Sequence, residues 1–120
     1  MGNTKSYNPS LPIDMGQLNA ITEGKSTYQT ELLELFFLNS AECILVLERN
    51  SVPNGNQEKW KSALDELKNI SNSIGALELS KICTVAEKMT NASEEEKAKV
   101  LASVRSHIQR LRAFLRNTSY

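Results

Sequence analysis

The chain has 120 residues, enough for one domain with a moderate core and too few for a second folded unit beside it. Lysine and arginine total 14 and so do aspartate and glutamate, so no excess positive field exists to attract nucleic acid or an anionic membrane. Its apolar runs are short and interrupted, far below the roughly 20 residues that span a bilayer, and no signal peptide stands at the start; the expectation is a soluble, cytoplasmic protein that binds neither nucleic acid nor membrane.

Residues 1–12 mix Asn, Ser, Pro and Gly without periodicity and read as a flexible leader, with the folded unit at 13–117 and a short tail at 118–120. Met1-Gly2-Asn3-Thr4-Lys5-Ser6 fits a myristoylation template, but a chance start is the better explanation of so short a match. Asp14 can cap a first helix in which Met15, Leu18 and Ile21 recur at helical spacing before Gly24 ends it. Ser26 is placed to cap a long second helix. There Tyr28, Leu32, Leu35, Phe36, Cys43, Val46 and Leu47 make one broad stripe, widened by Leu33, Phe37 and Ile44. Pro53 and Gly55 then mark a turn over 50–56.

A third helix follows. Trp60, Ala63, Leu64, Leu67, Ile70 and Ile74 form its core side, while Lys61, Asp65, Lys68 and Asn72 share the opposite one. Trp60 sits on the apolar stripe and therefore reads as a core residue rather than an exposed anchor. Asp65 and Lys68, three apart, suit an exposed ion pair. Gly75 breaks the helix, after which Leu79, Ile82, Cys83, Ala86 and Met89 give a fourth apolar stripe, ended by a turn over 90–92. Ser93 with Glu96 is a capping box. It opens a last helix carrying Val100, Leu101, Val104, Ile108, Leu111 and Leu115, with arginines gathered toward its C-terminal end. No segment alternates with period two. The expected architecture is all-α, an antiparallel four-helix bundle with a short additional N-terminal helix.

Chemistry-bearing residues are few. Cys43 and Cys83 lie within apolar helical patterns and read as reduced core thiols, and with one histidine and no paired-cysteine spacing no metal site or cofactor is expected. Asn69, Asn91 and Asn117 open Asn-x-Ser triplets that carry no implication of glycosylation without a secretory signal. His107 borders the apolar stripe of the last helix, where a partly buried structural histidine is the ordinary outcome. A glycine-rich phosphate loop and a nucleophile elbow are both lacking, so no enzyme is expected.

The pattern over almost the whole chain resembles the histidine-containing phosphotransfer (HPt) domain. Pro12-Ile13-Asp14 with Leu18 is similar to that family's opening helix. Leu33 through Phe37 is similar to its second helix, and Ile74-Gly75-Ala76 with Leu79, Cys83 and Glu87 to its third-to-fourth helix signature. The family motif is His-x-x-Lys-Gly, and Asp65, Lys68 and Asn69 hold those places here, so only the lysine carries over. The resemblance implies a monomeric phosphorelay module of two-component signalling, a pseudo-HPt domain. It would bind response-regulator receiver domains or a hybrid histidine kinase without carrying phosphate. Imidazole is a good nucleophile near neutral pH and an isolated helical carboxylate is not. The contact would centre on Asp65, Lys68, Asn69 and Asn72, with Leu64 or flanking apolar residues of the second helix at its edge. Two alternatives are a working phosphotransfer protein using His107 or another acceptor, and a helical scaffold with no role in a phosphorelay.

Overall fold

A computed structural model describes residues 11–117, so the myristoylation-like start, most of the expected leader and the tail at 118–120 lie outside the described residues. Five helices follow in order: α1 (Met15–Thr22), α2 (Ser26–Arg49), α3 (Gln57–Ile74), α4 (Leu77–Glu87) and α5 (Glu94–Asn117), with no strand among the described residues. None is long and apolar enough to cross a membrane. Three starts are secured by side-chain caps, those at Asp14 and Ser93 as the sequence indicates and that at Asn56 in addition. Asp14 Oδ1 accepts from the Gln17 N–H at 3.2 Å and Asn56 Oδ1 from that of Lys59 at 2.9 Å. Ser93 and Glu96 exchange the two hydrogen bonds of a capping box at 2.8 and 3.1 Å.

The start of α2 differs from expectation. Ser26 is its first helical residue and is exposed, and Lys25 occupies the cap position without a side-chain bond. The junction is held instead from within: the buried Gln29 amide donates to Asn19 Oδ1 at 2.6 Å and to Thr22 Oγ1 at 3.2 Å, and Thr22 Oγ1 donates to the Leu18 carbonyl at 2.7 Å. That network also corrects the stripe of α1. Thr22 is buried and Ile21 is exposed, because the hydrogen bonds of the Thr22 hydroxyl offset the cost of taking it out of water.

The stripe of α2 is corrected as well. Its buried line is Gln29, Leu33, Phe36, Ser40, Cys43 and Leu47. Leu33 is therefore central, whereas Tyr28 and Leu35 face solvent. On α3 the core side is Trp60, Ala63, Leu64, Leu67 and Ile74, with Ile70 half-buried. These faces meet around a circuit in which α3 packs on α2 and α4, and α5 packs on α4 and α2, a helical bundle with α1 laid across α2 and α3. Lys97 of α5 enters the core, its ammonium 3.2 Å from the Asn50 carbonyl and 5.3 Å from the centre of the fully buried Trp60 ring, so its aliphatic stem packs while its charge remains partnered.

The α3–α4 junction is a close approach between distant parts of the chain. Gly75 has φ +85°, and a Cβ there would stand 2.9 Å from the Asp14 carbonyl oxygen. In return the Asp14 N–H donates to the Gly75 carbonyl at 2.8 Å. Gly24 also has a positive φ, +70°, but faces open space. Gly75→Ala is therefore expected to destabilise by about 1–3 kcal/mol. Gly24→Ala, with backbone strain alone, should cost about 1 kcal/mol. Urea midpoints rank the two, and equal losses would mean that the Asp14 contact carries no weight.

Cys43 and Cys83 are free and buried. Burial pushes both thiols up to about 12, with Glu66 and Glu42 adding at Cys43 and Glu87 adding at Cys83. Since the thiolate is the reacting species, both are expected to resist Ellman's reagent at pH 8 in the native protein and to react only as fast as the bundle opens. Rapid labelling of either in native buffer would contradict this packing.

Candidate functional site

Burial of one side of α3 turns the other outward, where Ser62, Asp65, Glu66, Asn69 and Asn72 are exposed. The expected pair forms, with Lys68 Nζ 3.1 Å from Asp65 Oδ1. A third member was not anticipated. Lys68 Nζ also donates to Glu87 Oε1 at 2.9 Å, and Glu87 is the last residue of α4, 19 positions along the chain. The ammonium is thus clamped between two carboxylates on adjacent helices. One cation against two anions leaves the cluster a net charge of −1. Side-chain exposures of 26% for Lys68 and 20% for Glu87, against 55% for Asp65, make Asp65 the member that solvent reaches.

The electrostatics follow the geometry. Lys68, with a lesser contribution from Glu87, holds the Asp65 carboxyl below the usual aspartate range. Glu87 first and Asp65 second hold the Lys68 ammonium above the usual lysine range. For Asp65 the lowered folded value means a contribution to stability present above its unfolded pKa and lost as pH falls through the folded one. For Lys68 the raised value means a contribution present below its unfolded pKa and lost as pH rises through the folded one. The Asp65–Lys68 pair is consequently intact across the neutral range and dissolves only at the two extremes.

Around it the surface is shallow. Lys61, Asp65, Asn69 and Glu87 border an open depression that also includes Ile70. Ile70 in turn borders a smaller apolar crevice between α2 and α3, lined with Leu32, Leu35 and Asn39. The polar patch and the flank of α2 are therefore joined through one side chain. Asn72 is exposed, and its backbone carbonyl accepts a hydrogen bond from Gln17 Nε2 at 2.5 Å, which brings α1 to the C-terminal edge of the patch.

Not every singled-out residue belongs to this face. Leu64 is 0% exposed and offers a partner no surface; helical geometry places it among the core residues of α3, one position short of Asp65. His107 is half-buried on α5, its Nδ1 3.0 Å from the Ser103 carbonyl, and it lines a separate groove between α4 and α5 with Ile82, Val85, Met89 and Val100. Among the described residues no group of three or more His, Cys, Asp or Glu is arranged to hold a metal ion. Comparison with known protein families, with characterised proteins and with solved structures gave no match to this chain.

The clamp is directly measurable. In a carboxyl-carbon NMR titration, Lys68→Met is expected to move the Asp65 midpoint upward, because the ammonium that lowers it is gone. An unchanged midpoint would show that the pair does not persist in solution.

Proposed function

We propose that this chain is a degenerate histidine-containing phosphotransfer module. On this reading it is an antiparallel four-helix bundle with a short N-terminal helix, acting in the cytoplasm by binding response-regulator receiver domains, or the receiver of a hybrid histidine kinase, without carrying phosphate. The observation that supports this most is the clamp at Asp65, Lys68 and Glu87. In the family this chain resembles, the lysine favours the charge of a phosphoryl group on histidine. Here the equivalent ammonium is already engaged by two carboxylates, and an incoming phosphoryl group would meet a cluster that is negative before it arrives.

A fixed carboxylate at position 65 places negative charge where phosphohistidine would stand, so the face can present the charge of the loaded carrier without the transfer chemistry. Asn69 and Asn72 supply exposed amides around it, and Ile70 with the flank of α2 supplies the apolar edge that an interface needs. The role that fits these features is that of an adaptor, decoy or inhibitor in a phosphorelay.

Titrating the protein against a panel of receiver domains from its own source, each with and without phosphorylation, tests the reading. Micromolar binding to at least one receiver, abolished by Lys68→Glu in a variant of unchanged helicity, is expected. Absence of binding across the panel would overturn the proposal and leave a helical scaffold. A second experiment addresses the lost chemistry: Asp65→His with Asn69→Gly is expected to gain acid-labile phosphate from a phosphorylated receiver, whereas the parent chain remains unlabelled. Acid-labile label on His107 of the parent chain would instead establish a working carrier.

A further inference from the structure

Opposite its core line, α2 carries a second apolar row that no other helix covers. Tyr28, Leu35, Leu38, Leu45 and, just past the helix end, Val52 are exposed at 50%, 53%, 60%, 47% and 49%. They are spaced as a heptad seam. Positions 28, 35, 42 and 49 form one row and positions 31, 38 and 45 the other, with Glu42, Arg49 and Glu31 as the polar members and Val52 in the turn beyond the helix. Glu31, Glu42 and Arg49 are exposed and take part in none of the ion pairs of the described residues.

We propose that, in place of the monomer the family resemblance implies, this face is a homodimer interface in which α2 of two copies pack antiparallel about a two-fold axis at the level of residue 40. Antiparallel seams match each residue of one row with a residue of the other. Centred there, Leu35 meets Leu45 of the second copy, Glu31 meets Arg49, Leu38 lies against the stem of Glu42, and Tyr28 lies toward the turn that follows the partner's α2. The two-fold axis repeats every contact, so the apolar residues find apolar partners or methylene stems, and the Arg49 guanidinium finds a carboxylate on both sides of the axis. Parallel packing in register would set Glu31 on Glu31, Glu42 on Glu42 and Arg49 on Arg49. Charge complementarity therefore selects a second copy of this chain, and the antiparallel arrangement of it.

The Leu38–Glu42 contacts are not fully apolar, so the association is a reversible micromolar one rather than a permanent dimer. The seam shares Leu35 with the α2 flank that borders the Asp65 patch, but Lys68 lies off it, so Lys68→Glu should abolish receiver binding and leave the dimer intact, which keeps the two proposals separable.

Sedimentation velocity of the full chain over a concentration series is the test. A concentration-dependent dimer is expected. Leu38→Glu with Leu45→Glu should abolish it while leaving far-UV circular dichroism and the unfolding midpoint unchanged, because both residues are already exposed. Arg49→Glu should weaken it by about tenfold, and adding Glu31→Arg should recover the loss. A monomer up to millimolar concentration would overturn the proposal, as would a dimer indifferent to the two leucine changes or a charge reversal without recovery. A chain that stays monomeric while the α2 seam captures a different protein would overturn it too.

Discussion

Trp60, Leu64, Leu67 and Ile74 bury one side of α3 completely, and the remainder of the molecule is arranged by that constraint. A helix has two long sides. Once one is packed against α2 and α4, the residues at the other have no choice but solvent. Asp65 and Lys68 are outward because Leu64 and Leu67 are inward. The same packing brings α4 alongside, so that its last residue, Glu87, stands within reach of Lys68. A surface charge cluster is in this sense a product of the core: three polar side chains meet because apolar ones fixed the distance between their helices.

Helix α3 was open to reading because its two sides differ so sharply; charged and amide residues alternate with Leu and Ile at unambiguous helical spacing. The caps at Asp14, Asn56 and Ser93 involve only neighbours three residues away, and the expectations for Asp14 and Ser93 came from that locality. Helix α2 was harder for the opposite reason. It is apolar nearly all round, so periodicity identifies a helix without identifying its centre, and Leu35 and Leu33 compete on equal terms until α3 and α5 are in place. Thr22 in place of Ile21 depends on a hydroxyl network that hydrophobicity cannot register. Within the candidate patch, the pair at positions 65 and 68 was legible as a spacing, whereas the Glu87 contribution crosses between helices and leaves no local trace. The burial of Lys97 is of the same kind, since only the assembled fold sets an aromatic face and a free carbonyl beside its ammonium.

The two outward faces obey different physics. On α3 the clamp is polar, exposed at Asp65 and subject to salt screening, which suits an encounter surface where charge steers an approaching partner. On α2 the row is apolar and broken by charges of both signs, which suits a register-setting contact whose strength comes from removing leucines from water. Ile70 lies where the first face runs into the flank of the second. A partner large enough to cover both would sense the side chain at position 70 from either direction.

Helix α1 has eight residues, fewer than an isolated helix needs to hold its shape in water. Its order is borrowed: Ile13 is inserted in the core, the Asp14 N–H is bound to the turn at Gly75, and Gln17 is bound to the end of α3. The Asp14 and Gln17 anchors reach segments more than 50 positions away, while Gln29 holds Asn19 and Thr22 from the adjacent α2, so the seat of α1 is complete only once α2, α3 and α4 are all in place. If α1 leaves, the Gly75 carbonyl loses its donor and the Asn72 carbonyl keeps only the Gly75 N–H, and the C-terminal edge of the candidate patch loosens with them. The amide protons of α1 would then exchange at a rate that reports the integrity of a surface to which α1 contributes no charge.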